Sequence, residues 1–201
     1  MFSSVLRSAH PLNEYIIVVQ PHVDLCNTIN LLKQQFATTY QLPVVKYSKP
    51  NITLVHFKQY ETMERKIVHR LQNIAAAQAP LTIQLSNFGC FPTHTIYIGV
   101  ATPQPLLQLG NAIKAIQLLL KPDSAHKPHF ITEPHMMVAR KLQPWQYEQG
   151  WMEYSQMTFK AQFVANEMVL LKRAADSKVF VLAAKFGLLN QNTVMHQASL
   201  F

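Results

Sequence analysis

Apolar positions recur along this chain with two periods, near two and near three and a half, and each stretch implies an element. Glu14 to Gln20 (EYIIVVQ) is a strongly apolar strand stopped by Pro21. Beyond it Asp24 is placed to cap a helix, and the spacing of Leu25, Ile29, Leu32 and Phe36 carries that helix to about Tyr40. Asn51 to Lys58 (NITLVHFK) predicts a strand, and Thr62 to Gln78 a helix with Met63, Ile67, Leu71 and Ile74 on its buried side. Two β-rich runs follow, Leu81 to Leu85 and Thr95 to Ala101, joined by the turn-like NFGCFP. Pro103 precedes a helix marked by Leu106, Leu109, Ile113, Ile116 and Leu120. His135 to Leu142 (HMMVARKL) is a short strand, and Pro144 opens a helix in which Tyr147, Trp151 and Tyr154 repeat at three and four. Two β runs, Met157 to Lys172 and Val179 to Phe186, close the chain as a hairpin.

Strands and helices mix here without a regular strand–helix–strand alternation, so the expected class is α+β, a mostly antiparallel sheet with outer helices. No linker or low-complexity stretch divides residues 1–201, which read as a single unit.

Composition narrows the function classes. Hydrophobic residues make up 49% and charged ones 14%, a balance incompatible with intrinsic disorder. No apolar run approaches the roughly 18–20 residues of a membrane span. The opening MFSSVLRSAHPLNEY lacks the apolar block of a secretory signal. Cys26 and Cys90 form no metal-spaced pair and read as ordinary thiols in a reducing, cytoplasmic setting. Lys plus Arg minus Asp plus Glu is 18 − 10, a net charge of +8 that favours an anionic partner such as RNA or a nucleotide. Lys33, Lys46, Lys58, Arg65, Lys66 and Arg70 sit at positions that read as exposed.

His126, His129 and His135 fall close together, but their spacings of three and six do not make a helical metal-binding pair. Pro128 and Pro134 break any helix there, and only Asp123 and Glu133 stand nearby. Neither a metal nor a cofactor is implied.

Two segments carry the chemistry. Lys49-Pro50-Asn51-Ile52-Thr53-Leu54-Val55 and Glu133-Pro134-His135-Met136-Met137-Val138-Ala139 each place a polar residue after a proline at the start of a strand. Residues i and i+2 of a strand share a face, so Asn51 goes with Thr53 and His135 with Met137.

These segments resemble the paired His-apolar-Thr-apolar motifs of the two-histidine (2H) phosphoesterase superfamily, the 2′-5′ RNA ligase-like proteins. The second motif reads Pro134-His135-Met136-Met137-Val138-Ala139-Arg140, and Phe88-Gly89-Cys90-Phe91-Pro92 resembles a further family segment. The resemblance implies two pseudo-symmetric α+β lobes facing across a central cleft, with one motif in each. It also implies metal-free phosphodiester chemistry in which two histidines move protons and two threonines hold phosphate oxygens. Catalysis by His135, and substrate binding by Asn51, Thr53, Met137 and Arg140, are carried over on that basis.

The chain departs from the pattern twice. Asn51 stands where the first histidine is expected, and an amide does not titrate near neutrality. Met137 replaces the second threonine, a strong donor. Two functions follow as expectations. The cleft either binds RNA ends, nucleotides or cyclic phosphates with little turnover, or serves a metal-independent cyclic phosphodiesterase or RNA end-processing enzyme through His135. His22, His56 and His129 are the candidates to compensate for Asn51. Strand parity sends His56 to the face opposite Asn51 and Thr53, and Arg140 to the face opposite His135.

Overall fold

The computed structural model describes residues 11–42 and 49–191. The reading of the N-terminal segment and the placing of Lys46 lie outside these residues. Among them nine strands and four helices follow in order. They are β1 (Leu12–Val19), α1 (Val23–Thr39), β2 (Ile52–Tyr60), α2 (Glu64–Ala76), β3 (Leu81–Phe91), β4 (Thr95–Val100), α3 (Gln104–Lys114), β5 (His129–Phe130), β6 (His135–Arg140), α4 (Pro144–Tyr154), β7 (Lys160–Ala165), β8 (Glu167–Arg173) and β9 (Val181–Gly187). The class is α+β, with antiparallel strands in one curled sheet.

The strand order is β7-β3-β4-β6-β2-β1-β8-β9, with β5 beside β2. It divides into two halves of four strands that meet at β2 and β6. Each half holds one motif, and the halves repeat each other in connection as well as in order. β1 leads through α1 into its antiparallel neighbour β2, as β4 leads through α3 and β5 into its antiparallel neighbour β6. The helices then cross over: α1 packs against β6, and α3 packs against β2. Each half is thus roofed by the helix that feeds the motif of the other.

Alternation explains the core. Ile17, Ile52, Ile96 and Met136 are wholly buried on the helix-bearing face and join Phe36, Ile67 and Ile113 in one apolar cluster. Burying a side chain of this size contributes about 1.5–3 kcal/mol. Phe36 on α1 meets Tyr154 of α4 edge-on at 5.1 Å between ring centres. Gly150 lets these helices close up, because a Cβ there would lie 2.8 Å from the Phe36 ring.

Several expectations need correction. α1 is capped by His22, whose Nδ1 accepts from the Leu25 amide at 3.4 Å, while Asp24 lies in the first turn. NFGCFP is not a connecting turn up to Phe91, because β3 runs through it, with Asn87 as an extra residue at φ 52°. The run from Met157 is two strands, β7 and β8, broken at Asn166. Lys33 is buried, with 8% of its surface exposed. Its aliphatic stem fits the apolar face of α1, but burial pushes its amine down to about 8.

Candidate functional site

β2 and β6 meet through the pair Ile52–Met136, both fully buried on the helix side. Carrying that register one residue each way sets Thr53 opposite His135 and Asn51 opposite Met137. All four are half-buried, on the face turned away from the helices. Both motifs therefore open onto one shared surface.

His135 is held by its own strand entry. Its Nδ1 lies 2.7 Å from the Glu133 carbonyl oxygen, and a carbonyl can only accept, so Nδ1 carries the proton. Nε2 is left without a hydrogen-bond partner among the described residues. Two aromatic rings fix the imidazole from the side: Tyr97 at 4.8 Å and Phe91 at 5.0 Å between ring centres. Tyr97 of β4 pairs with Met137 on one side and with Gly89 of β3 on the other. A Cβ at Gly89 would stand 2.5 Å from the Tyr97 ring, so the glycine is what lets the ring lie flat across β3. Burial, the Glu133 charge and the Cys90 thiol all raise the Tyr97 phenol, which stays protonated as a donor.

Asn51 repeats the local geometry of His135 without its chemistry. Its Nδ2 donates to the Lys49 carbonyl at 2.9 Å, again two residues back. Its Oδ1 remains as an acceptor. The amide satisfies the backbone as the imidazole does, but it offers no titrating nitrogen.

Each motif strand also contains an extra residue. Ile17 pairs with Val55 and Val18 with Thr53, which leaves Leu54 without a partner. Ile96 pairs with Ala139 and Tyr97 with Met137, which leaves Val138 unpaired in the same way. Each bulge shifts the later residues by one. His56 therefore lies on the face of Thr53, and Arg140, paired with Thr95, on the face of Tyr97 and His135. The strict parity expected for both residues is overturned by a bulge at the equivalent place. The consecutive apolar pairs Leu54-Val55 and Val138-Ala139 were the signal: two adjacent buried residues break the alternation of a half-exposed strand.

His129, in β5, pairs with His56 and is exposed; His22 serves as a helix cap. Among the described residues no three His, Cys, Asp or Glu side chains gather to hold a metal ion. None of the described helices is long and apolar enough to cross a membrane. A separate open groove of about 650 Å³ lies on the helical side, between Lys66, Arg70 and Ile74 of α2 and Ile116 and Leu119 beyond α3. It includes none of the motif residues.

The architecture matches known structures along most of its length. TT0787 of Thermus thermophilus superposes with a TM-score of 0.68 at 16% identity, covering 89% of this chain and 100% of that one. E. coli LigT complexed with phosphate gives 0.62 at 13% identity, covering 89% and 98%. E. coli LigT complexed with 3′-AMP gives 0.59 at 14% identity over the same shares. At these identities the likeness is one of fold. No curated protein sequence matches the chain. The family model described as the 2′-5′ RNA ligase superfamily matches residues 21–177, a span that holds both motifs and every element from α1 to β8. The chain belongs to the 2′-5′ RNA ligase superfamily.

Proposed function

We propose that the face between β2 and β6 binds a phosphate-bearing ligand, an RNA end, a nucleotide or a cyclic phosphate, and turns it over slowly. The carrying observation is the register that sets the Thr53 hydroxyl opposite a His135 whose Nε2 is free. The Thr53 hydroxyl then donates to a phosphate oxygen, while His135 Nε2 faces the attacking water or hydroxyl whose proton it can take. Arg140 adds a guanidinium on that face, a group suited to bidentate phosphate contact. Tyr97 and Phe91 give the ligand an aromatic wall beside His135. The solved E. coli LigT complexes with phosphate and 3′-AMP show what one relative by fold accommodates, and they support the same ligand class here.

Slow turnover follows from proton accounting. Opening a 2′,3′-cyclic phosphate requires removal of a proton from the attacking water and delivery of one to the departing oxygen. His135 performs one of these in a given step. Asn51 cannot perform the other, because its amide neither gains nor loses a proton near neutrality. Met137 places a thioether where the second hydroxyl donor is expected.

Titration with nucleoside 2′,3′-cyclic phosphates and short RNAs at two salt concentrations tests the reading. The expected result is saturable binding that weakens as salt rises. No response at low salt, where charge is least screened, overturns it.

A further inference from the structure

The bulge at Leu54 puts a second imidazole on the ligand face. Beyond it His56 pairs with Ile16, two pairing steps past Thr53 and on the side away from Asn51. Its Nε2 lies 2.5 Å from Glu14 Oε1 on β1, with 41% of the histidine side chain and 20% of the carboxylate side chain exposed. Arg173 of β8 grips the other Glu14 oxygen through two nitrogens and packs its guanidinium on the Phe180 ring at 4.8 Å. Burial pushes Glu14 up, but the hydrogen bonds and charges of Arg173 and His56 outweigh it and hold the carboxyl below its usual value. An ionised carboxylate only accepts, so His56 Nε2 carries a proton and Nδ1 is left for another partner.

The second half of the sheet supplies an independent observation. His56 is the fifth residue after Asn51, and Arg140 is the fifth after His135; both follow a bulge, and both return to the ligand face. The two halves thus place a basic side chain at the same structural position. On β6 it is a permanent cation, and on β2 it is one that needs a proton.

We propose that His56 is a phosphate-binding residue of this cleft, its imidazolium held by Glu14 and Arg173, supplying on the β2 side the positive charge that Asn51 lacks. This rests on the reading of the cleft as a phosphodiester site. The groups that face His56 are Glu14 from β1 with Arg173 behind it, His129 from β5 and Lys58 along β2, while His135 lies across from Thr53. Glu14 is the single anion among them, and it accepts from the ring. His56 is then a donor to the ligand rather than a base, consistent with slow turnover.

The test is calorimetric titration with adenosine 2′,3′-cyclic phosphate, whose single negative charge is the same at about pH 5.5 and about pH 8, so the change reports the protein's histidines. Wild type should bind more tightly at the lower pH. His56→Asn should lose about tenfold there, as expected for one charge-assisted hydrogen bond, and little at the higher pH. Glu14→Gln should shift affinity the same way. His56→Lys should hold the acid-side affinity up to the higher pH, which a purely structural role for the ring does not explain. If His56→Asn and His56→Lys match wild type at both values while His135→Asn weakens binding, the inference falls and the cleft reading stands. If wild type shows no saturable binding at either pH, both fall together.

Discussion

At the start of β6, His135 donates from Nδ1 to the carbonyl two residues back at 2.7 Å; at the start of β2, Asn51 donates from Nδ2 to the equivalent carbonyl at 2.9 Å. The backbone poses one question in both halves, and either side chain answers it. They differ in what remains afterwards: a nitrogen that exchanges protons in one, a carbonyl oxygen that only accepts in the other. The contrast reverses two residues along each strand, where Thr53 on β2 and Met137 on β6 occupy matching places beside their bulges. Structure and chemistry are therefore separable at this site. The two halves keep the same register, the same bulge and the same local hydrogen bond, while the groups that would act on a phosphodiester are divided unequally between them.

The strongest way to break the comparison is to make the halves chemically alike. Asn51→His with Met137→Thr should raise hydrolysis of a 2′,3′-cyclic phosphate by about two orders of magnitude or more, since a recovered acid–base group alone is worth roughly 10²–10⁴-fold. An unchanged rate in a steady-state assay means that the two positions do not share a reacting phosphate.

The roofing helices sharpen the same contrast. α3 presents Leu106, Leu109 and Ile113 to β2, whereas α1 buries Lys33 among Leu25, Ile29 and Phe36 over the other half. Because the folded amine sits at about 8 and the unfolded one near its usual value, folding releases a proton between those values. The cost is therefore fully present below about pH 8 and fades as pH rises towards the unfolded pKa. Lys33→Met should stabilise the protein by roughly 2 kcal/mol at neutral pH, with the gain shrinking in alkaline buffer. Denaturant melts at neutral and high pH check both parts.

Smaller effects belong to single contacts. His135→Asn keeps a donor for the Glu133 carbonyl but removes the titrating nitrogen, and should weaken cyclic phosphate binding about tenfold at acid pH. Asn51→Ala should cost only a few-fold in the same titration, because a neutral hydrogen bond contributes about 0.5–1.5 kcal/mol. Asn51→Ala matching or exceeding the loss at His135→Asn reverses the ranking of the two halves.

Much of this molecule was legible in its sequence. Alternation and helical spacing located the elements, because burial on one face imposes period two on a strand and near 3.6 on a helix. The two proline-led segments marked β2 and β6, the strands that meet at the middle of the sheet, since each carries a polar residue into an apolar run. Their chemistry was equally plain, because an amide and a thioether have the same proton and donor inventory wherever they fold. Lys33 was misread because a single long amphipathic side chain looks the same in sequence whether its amine reaches water or not.

Only the tertiary structure decided which side chains share the face of the two motifs. Periodicity counts residues, and a bulge adds one without changing composition, so Leu54 and Val138 each reversed the facing of everything downstream. That reversal brought His56 and Arg140 to the surface that holds His135. The meeting of Thr53 with His135 depends on the pairing of Ile52 with Met136 across 84 residues, 136 − 52. No local pattern encodes that pairing; it is set by where two curled halves, each roofed by the other's helix, come into register.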